Sequence, residues 1–360
     1  MKTKPMTKFA ILALSLVLVA CAGGGSEEAG CPAIDGREIN VVATTPMIGE
    51  FVSQVGGENI NLTVLMPPEA NPHTYEPAPQ DAGTIAEADL VFYTGLLYEP
   101  AALVKLLENS ACSTDILSEV GESVFPIEFK EGGHDDHDDH DDHDDHDDEE
   151  GHDDHDDEEG HDDHDDEEGH DDEEGHDDHE GHNHGAYDPH FWFDPSRVAY
   201  AAEYIESRLI QFDPENESSY KSSADSFVSE LNDLTKQVSE LISTVPSQNR
   251  KLITTHESLG YLEAKFGLEV LSTIIPSLNS ANEISPSDLA GVIDVIEDNN
   301  VKVIFIESEA PSVYSETIVA ETGIKSVTGL YVETLKPGQS YSEFLISNVK
   351  LITENLQDTD

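Results

Sequence analysis

The sequence predicts an α/β protein of two lobes, each built on a parallel-type sheet, bridged by one long α-helix. Three observations carry this. Short aliphatic runs alternate with helical stretches, a pattern that gives parallel sheets with helices on their faces. The alternation occurs twice, before and after a stretch from Asp213 to Ile242 that contains no Gly and only one Pro, at its very start. Roughly 270 residues remain once a leader, a tether and a low-complexity tract are set aside, which suits two domains.

In the first series Ile39–Ala43 reads as a strand and Pro46–Val55 as a helix closed by Gly56-Gly57. Ile60–Met66 is a strand, followed by a Pro-rich loop through Pro79. Asp81–Ala88 is a short helix, Leu90–Thr94 a strand and Pro100–Glu108 a helix. A further helix runs from about Ser196 to Ile210. Asp213 as N-cap, Pro214 at the first helical position and Glu215 in the first turn start the long helix. Phe227, Leu231, Leu234, Val238, Leu241 and Ile242 recur along it at helical spacing, and Pro246 ends it. Some 29 residues would reach roughly 44 Å, enough to link two lobes. The second series is strand Lys251–Thr255, helix Leu259–Phe266, strand Leu268–Thr273, helix Pro286–Asn299, strand Val301–Ile306, strand Ile324–Val327 and helix Tyr341–Asn355.

The ends of this frame are distinctive. Lys2, Lys4 and Lys8 precede the apolar run Phe9–Ala20, as in a secretory signal. Its end, Leu18-Val19-Ala20-Cys21, is similar to a lipobox, which makes Cys21 the expected site of lipidation. Residues 1–20 are thus expected to be removed, and 21–37 to form a flexible tether. The protein is expected to be exported and lipid-anchored, in a periplasm or on the outer face of the cytoplasmic membrane. Cys31 and Cys112 are candidates for a disulfide, which suits an exported chain. The expected units are an N-terminal lobe over 38–212, a linking helix over 213–246 and a C-terminal lobe over 247–360.

Residues 132–184 interrupt the first lobe with a run that is almost wholly Asp, Glu, His and Gly. They offer no apolar side chain to bury and are expected not to fold. Between residues 131 and 184 stand 32 acids and no Lys or Arg, which accounts for much of the formal charge of -60. The remainder is still acidic. Nucleic acid is therefore excluded as a partner, whereas cations are favoured.

The distribution of histidine points to the chemistry. Fourteen of 17 lie in the tract: His134, His137, His140, His143, His146, His152, His155, His161, His164, His170, His176, His179, His182 and His184. They are expected to bind extra metal ions weakly. Only His73, His190 and His256 remain, each in its own short motif. Imidazole suits zinc, copper, iron and nickel, and three protein ligands plus a fourth group make the usual zinc site. His73 falls in the loop after the second strand, and His256 directly follows the strand Lys251–Thr255. Glu333 lies shortly after the strand Ile324–Val327. Open α/β sheets bind ligands beyond the carboxyl ends of their strands.

Several motifs resemble those of the zinc- and manganese-binding lipoproteins of bacterial ABC importers, the cluster A-I metal-binding proteins. They are Val41-Val42-Ala43-Thr44-Thr45-Pro46, the loop Pro67-Pro68 through Pro72-His73-Thr74-Tyr75-Glu76-Pro77, and Ala88-Asp89-Leu90-Val91-Phe92-Tyr93. Asp188-Pro189-His190, Thr254-Thr255-His256, Asn300-Val301-Lys302-Val303-Ile304-Phe305 and Leu330-Tyr331 continue the series in order. The resemblance spans residues 38 to 358 apart from the tract. It implies a rigid bridging helix, a metal site between the lobes, and His73, His190, His256 and Glu333 as ligands. It further implies a carrier, not an enzyme, that delivers Zn²⁺ as cargo to an ABC permease in the cytoplasmic membrane. The carrier is expected to be a monomer.

Two departures stand out. The family's last ligand is commonly Asp, so Glu333 is expected to cost less on removal than any of the histidines. Glu69 stands where the family often has Gly, either as an alternative fourth ligand or as a carboxylate facing water. Manganese members usually carry Glu at the third position; His256 there favours zinc. Three other readings stay open: a manganese or iron carrier of the same family, a surface zinc buffer or adhesin acting through the tract, and a zinc hydrolase using Glu69 or Glu257.

Overall fold

The computed structural model describes residues 36–68, 70–129, 187–275, 286–308 and 313–357, together with Cys31 and Ile34. The expected leader, Cys21 and most of the tether, Glu69, and the histidines from His134 to His184 lie outside the described residues.

The first lobe runs β1 (Ile39–Ala43), α1 (Pro46–Gly56), β2 (Ile60–Val64), α2 (Pro79–Ala86), β3 (Leu90–Tyr93), α3 (Ala101–Ser110) and β4 (Leu117–Glu119). Its strands pair in parallel in the order β2-β1-β3-β4. Two helices follow, α4 (Pro195–Phe212) and α5 (Glu217–Ser243). The second lobe runs β5 (Lys251–Thr254), α6 (Gly260–Phe266), β6 (Glu269–Thr273), α7 (Pro286–Asn299), β7 (Val303–Glu307), α8 (Val313–Thr322), β8 (Lys325–Leu330) and α9 (Tyr341–Gln357). Its parallel sheet has the order β6-β5-β7-β8. Both sheets therefore follow one plan: second, first, third, fourth.

Local chemistry explains most of the boundaries. Thr45 caps α1 by accepting a hydrogen bond from the Ile48 amide at 3.2 Å, and Pro46 sits in the first turn where its missing N–H costs nothing. Gly57, at φ 55, ends that helix. The buried face of α1 carries Met47, Ile48, Phe51, Val52 and Val55. Each such side chain contributes about 1.5–3 kcal/mol on full burial. The helix α2 starts at Pro79 rather than Asp81, because Asp81 reaches back to accept from the Ala78 amide at 2.7 Å. Asp213 does not cap α5. Its carboxylate is taken by Asn216 Nδ2 at 2.7 Å and the Tyr220 hydroxyl at 2.6 Å, so a 3₁₀ turn over Pro214–Asn216 precedes the helix.

The 27 residues of α5 bury Tyr220, Ala224, Phe227, Leu231, Leu234, Val238 and Ile242 along one stripe. The helix packs against α1 and α4 on one side and against α9 on the other. The main core runs without a break from Ile39 and Phe51 in the first lobe, through α5, to Phe344 and Ile352 in the second. Alternation along the strands divides the layers. In β1, Val41 faces the shared core and Val42 a smaller cluster outside it; in β7, Phe305 and Ile304 do the same. Trp192 Nε1 donates to the Val332 carbonyl at 2.8 Å, and the Tyr341 hydroxyl donates to the Trp192 carbonyl at 2.7 Å, stitching the lobes together. Cys31 and Cys112 are joined by a disulfide, 81 residues apart in sequence. Residues Glu128 and Tyr187 form an antiparallel bridge where the chain leaves and rejoins the first lobe. Among the described residues no helix is long and apolar enough to cross a membrane.

Candidate metal centre

The carboxyl ends of both sheets face one buried cluster: His73, His190, His256 and Glu333, whose ligand atoms all lie within 4.8 Å of one another. His73 stands in a 3₁₀ turn, Pro72–Thr74, set by Asn71 Oδ1 accepting from the His73 amide at 2.9 Å. Its loop is tied to the other lobe by the Thr334 hydroxyl, which donates to the Pro68 carbonyl at 2.9 Å. His190 ends the segment that re-enters the first lobe. Asp188 Oδ1 accepts from both its amide, at 2.8 Å, and its Nδ1–H, at 2.7 Å. His256 follows β5. Glu307, the last residue of β7, accepts from its Nδ1–H at 2.5 Å and from its amide at 3.2 Å. Glu307 is in turn oriented by its own amide donating to Thr255 Oγ1 at 3.0 Å.

These carboxylates fix the ring orientation. With Nδ1 of His190 and His256 donating outward, each Nε2 is left to face the centre, the arrangement found behind metal-ligating histidines. Glu333 Oε1 lies there, 3.1 Å from His73 Nε2, 3.4 Å from His190 Nε2 and 2.9 Å from His256 Nε2. A tetrahedron with bonds of about 2.0 Å has edges of about 3.3 Å, so these separations suit four donors around one small cation. Nε2 of His190 and of His256 are buried without an aligned hydrogen-bond partner, although both approach Oε1. Leaving such atoms unmatched is costly, and a cation between them would satisfy both. The other oxygen of Glu333, Oε2, accepts from the Tyr98 hydroxyl at 2.8 Å.

Electrostatics follow from that crowding. Burial acts to lower the pKa of His190, but the carboxylates of Glu333 and Asp188 outweigh it and push it up to about 9. His256 is likewise held down by burial and raised by Glu307 and Glu333, the net result being about 10. Burial would raise Glu333, yet the surrounding imidazoles hold it well below the usual carboxylate range. The metal-free cluster is thus a set of paired charges sealed from water.

All four residues singled out from the sequence come together here. Glu257 is not part of the cluster. Asp188, Glu307 and Tyr98 were not singled out. Glu307 could have been found by the rule that sheet sites gather at the carboxyl ends of strands, since it closes β7. Nothing in the sequence marks Tyr98.

A family model described as the periplasmic component A of zinc-uptake complexes matches residues 41–355. A manganese ABC transporter substrate-binding lipoprotein, PsaA of Streptococcus anginosus, is 24% identical and covers 98% of this chain and 99% of its own length. The manganese-binding lipoprotein MntA of Halalkalibacterium halodurans is 22% identical, covering 95% of this chain and 94% of its own. The periplasmic zinc binding protein TroA from Treponema pallidum superposes with a TM-score of 0.67 at 20% identity, covering 89% of this chain and 99% of that one. With the match spanning nearly the whole folded chain, the protein belongs to the zinc-uptake component A family: it is the substrate-binding component of a metal ABC importer, not an enzyme.

Proposed function

We propose that the cargo is Zn²⁺, bound by His73 Nε2, His190 Nε2, His256 Nε2 and Glu333 Oε1, and passed to a membrane permease by an exported, lipid-anchored carrier. One observation carries the reading: three imidazole nitrogens and one carboxylate oxygen converge in a buried site. Nitrogen-rich, four-donor sites favour zinc, whereas manganese favours oxygen donors and higher coordination numbers. Relatives named for manganese leave the cargo to be decided by the ligands. The metal content of protein purified without added metal tests this, together with competition between zinc and manganese at the tight site. Zinc is expected to win by orders of magnitude. His256→Glu is expected to narrow the gap by adding a hard oxygen donor, and an unaltered ranking would remove His256 from the site.

A further inference from the structure

Tyr98 reaches the centre from an unusual piece of backbone. After β3 the chain passes through three consecutive left-handed residues, Gly95 at φ 76, Leu96 at φ 53 and Leu97 at φ 60. Leucine in that region costs about 1–2 kcal/mol per residue, so the turn must be held by its surroundings. Two carboxylates do so. Glu99, buried, accepts from the amides of Thr94 at 2.7 Å and Gly95 at 2.9 Å, and from the Thr44 hydroxyl at 2.7 Å. Glu119 accepts from the Leu96 amide at 2.9 Å, and the Tyr93 hydroxyl donates to its other oxygen at 3.2 Å. A side chain at Gly95 would collide with Glu119, with a Cβ only 2.1 Å from Oε1.

The braced turn aims Tyr98 across the gap between lobes. Its ring packs edge-on against His73, with centroids 5.1 Å apart, and against Trp192 at 5.3 Å. Its hydroxyl lies 2.8 Å from Glu333 Oε2, while Oε1 faces the three imidazoles. We propose that Tyr98 determines metal preference by engaging Oε2 of Glu333, so that this carboxylate can offer a cation only one oxygen. A glutamate free to bind through both oxygens would make a five-donor site and suit larger, harder ions. Restricted to one, it completes a four-donor set and favours zinc. Glu99 and Glu119 act through the turn as positioning residues. This rests on the ligand set proposed above.

The test uses the full-length protein with one equivalent of metal. Tyr98→Phe removes only the hydroxyl. It is expected to lower the zinc-to-manganese affinity ratio by about tenfold or more, the scale on which partners behind metal ligands act. The cobalt-loaded protein should show the intense visible absorption of four-coordinate cobalt, and Tyr98→Phe the weaker bands of a five-coordinate ion. Glu119→Gln, which keeps the hydroxyl but loosens the turn, should move both readouts the same way by less. Unchanged ratio and spectrum in Tyr98→Phe would overturn the role of Tyr98 while leaving the zinc reading standing. Preference for manganese in the unaltered protein would overturn the zinc reading, yet a changed ratio in Tyr98→Phe would still uphold the hydroxyl's role. Cobalt absorption that is not four-coordinate in the unaltered protein would overturn both.

Discussion

The two lobes share a sheet plan but not a ligand plan. In the first, His73 follows the second strand, and His190 comes after the fourth, where the chain has rejoined the lobe. In the second, His256 follows the first strand and Glu333 the fourth. The position of His256 after β5 corresponds to Thr44 and Thr45 after β1, where Thr44 serves Glu99 and Thr45 caps a helix. Parallel topology thus fixes where ligands can stand, at the carboxyl ends of strands, and leaves open which loops supply them. The supports differ too. His190 and His256 are each held by a carboxylate near in space within their own half of the chain. Glu333 is held by Tyr98 from the opposite lobe.

The sharpest way to break the comparison is to remove one ligand from each lobe. His190→Ala and His256→Ala are each expected to weaken the tight site by more than about a hundredfold, since partners one step removed already cost 10–100-fold. Calorimetry with a competing chelator would measure this, and a large loss from only one lobe would make the site one-sided. Glu333→Ala should fall in the same range. The sequence suggested a smaller cost, but Oε1 stands within reach of all three Nε2 atoms.

Next come the carboxylates behind the rings. Glu307→Gln and Asp188→Asn are expected to cost about 10–100-fold in zinc affinity each, with the loss growing if the amide turns its NH₂ toward Nδ1. Equal losses would mean that both lobes orient their histidines alike. No loss at either position would show that packing alone sets the rings.

Acidity gives a more graded readout. With folded pKa values of about 9 and 10 against an ordinary 6.5, His190 and His256 hold protons at neutral pH that an incoming cation must displace. Apparent affinity should therefore rise by about two log units per pH unit between pH 7 and 8. The same shifts stabilise the metal-free fold fully below the unfolded histidine value, and that contribution fades as pH rises through 9 to 10. Glu333, depressed when folded, contributes above its ordinary range and loses that contribution on acidification. The Tm of metal-free protein should accordingly fall from pH 7 to 10, while zinc-loaded protein should not follow it. The smallest effect is expected from deleting residues 132–184, which should leave the tight site within about twofold and remove only weak, exchangeable zinc.

Much of this architecture was legible because its signals are local. Strand β1 and helix α7 end where alternation, Pro and Asn place them, and the three histidines outside the tract are the three in the centre. Strand β4 went unseen: three residues, Leu117–Glu119, are too few to show a period of two. Helix α8 went unseen because Val313–Thr322 has no apolar stripe at helical spacing. The partners of the ligands were hidden for another reason. Glu307 lies 51 residues from His256, and Tyr98 lies 235 from Glu333. Only the fold brings such pairs together, and solvated acids and core tyrosines elsewhere look the same in sequence.

The protons on His190 and His256 give loading a particular character. One divalent cation entering as those two protons leave changes the net charge of the buried centre by nothing. Empty and full states then carry the same net charge at the centre. Uptake at this centre becomes an exchange of two monovalent passengers for one divalent passenger. The direction of that exchange is set by the ratio of free divalent metal to the square of proton activity on each side of its journey.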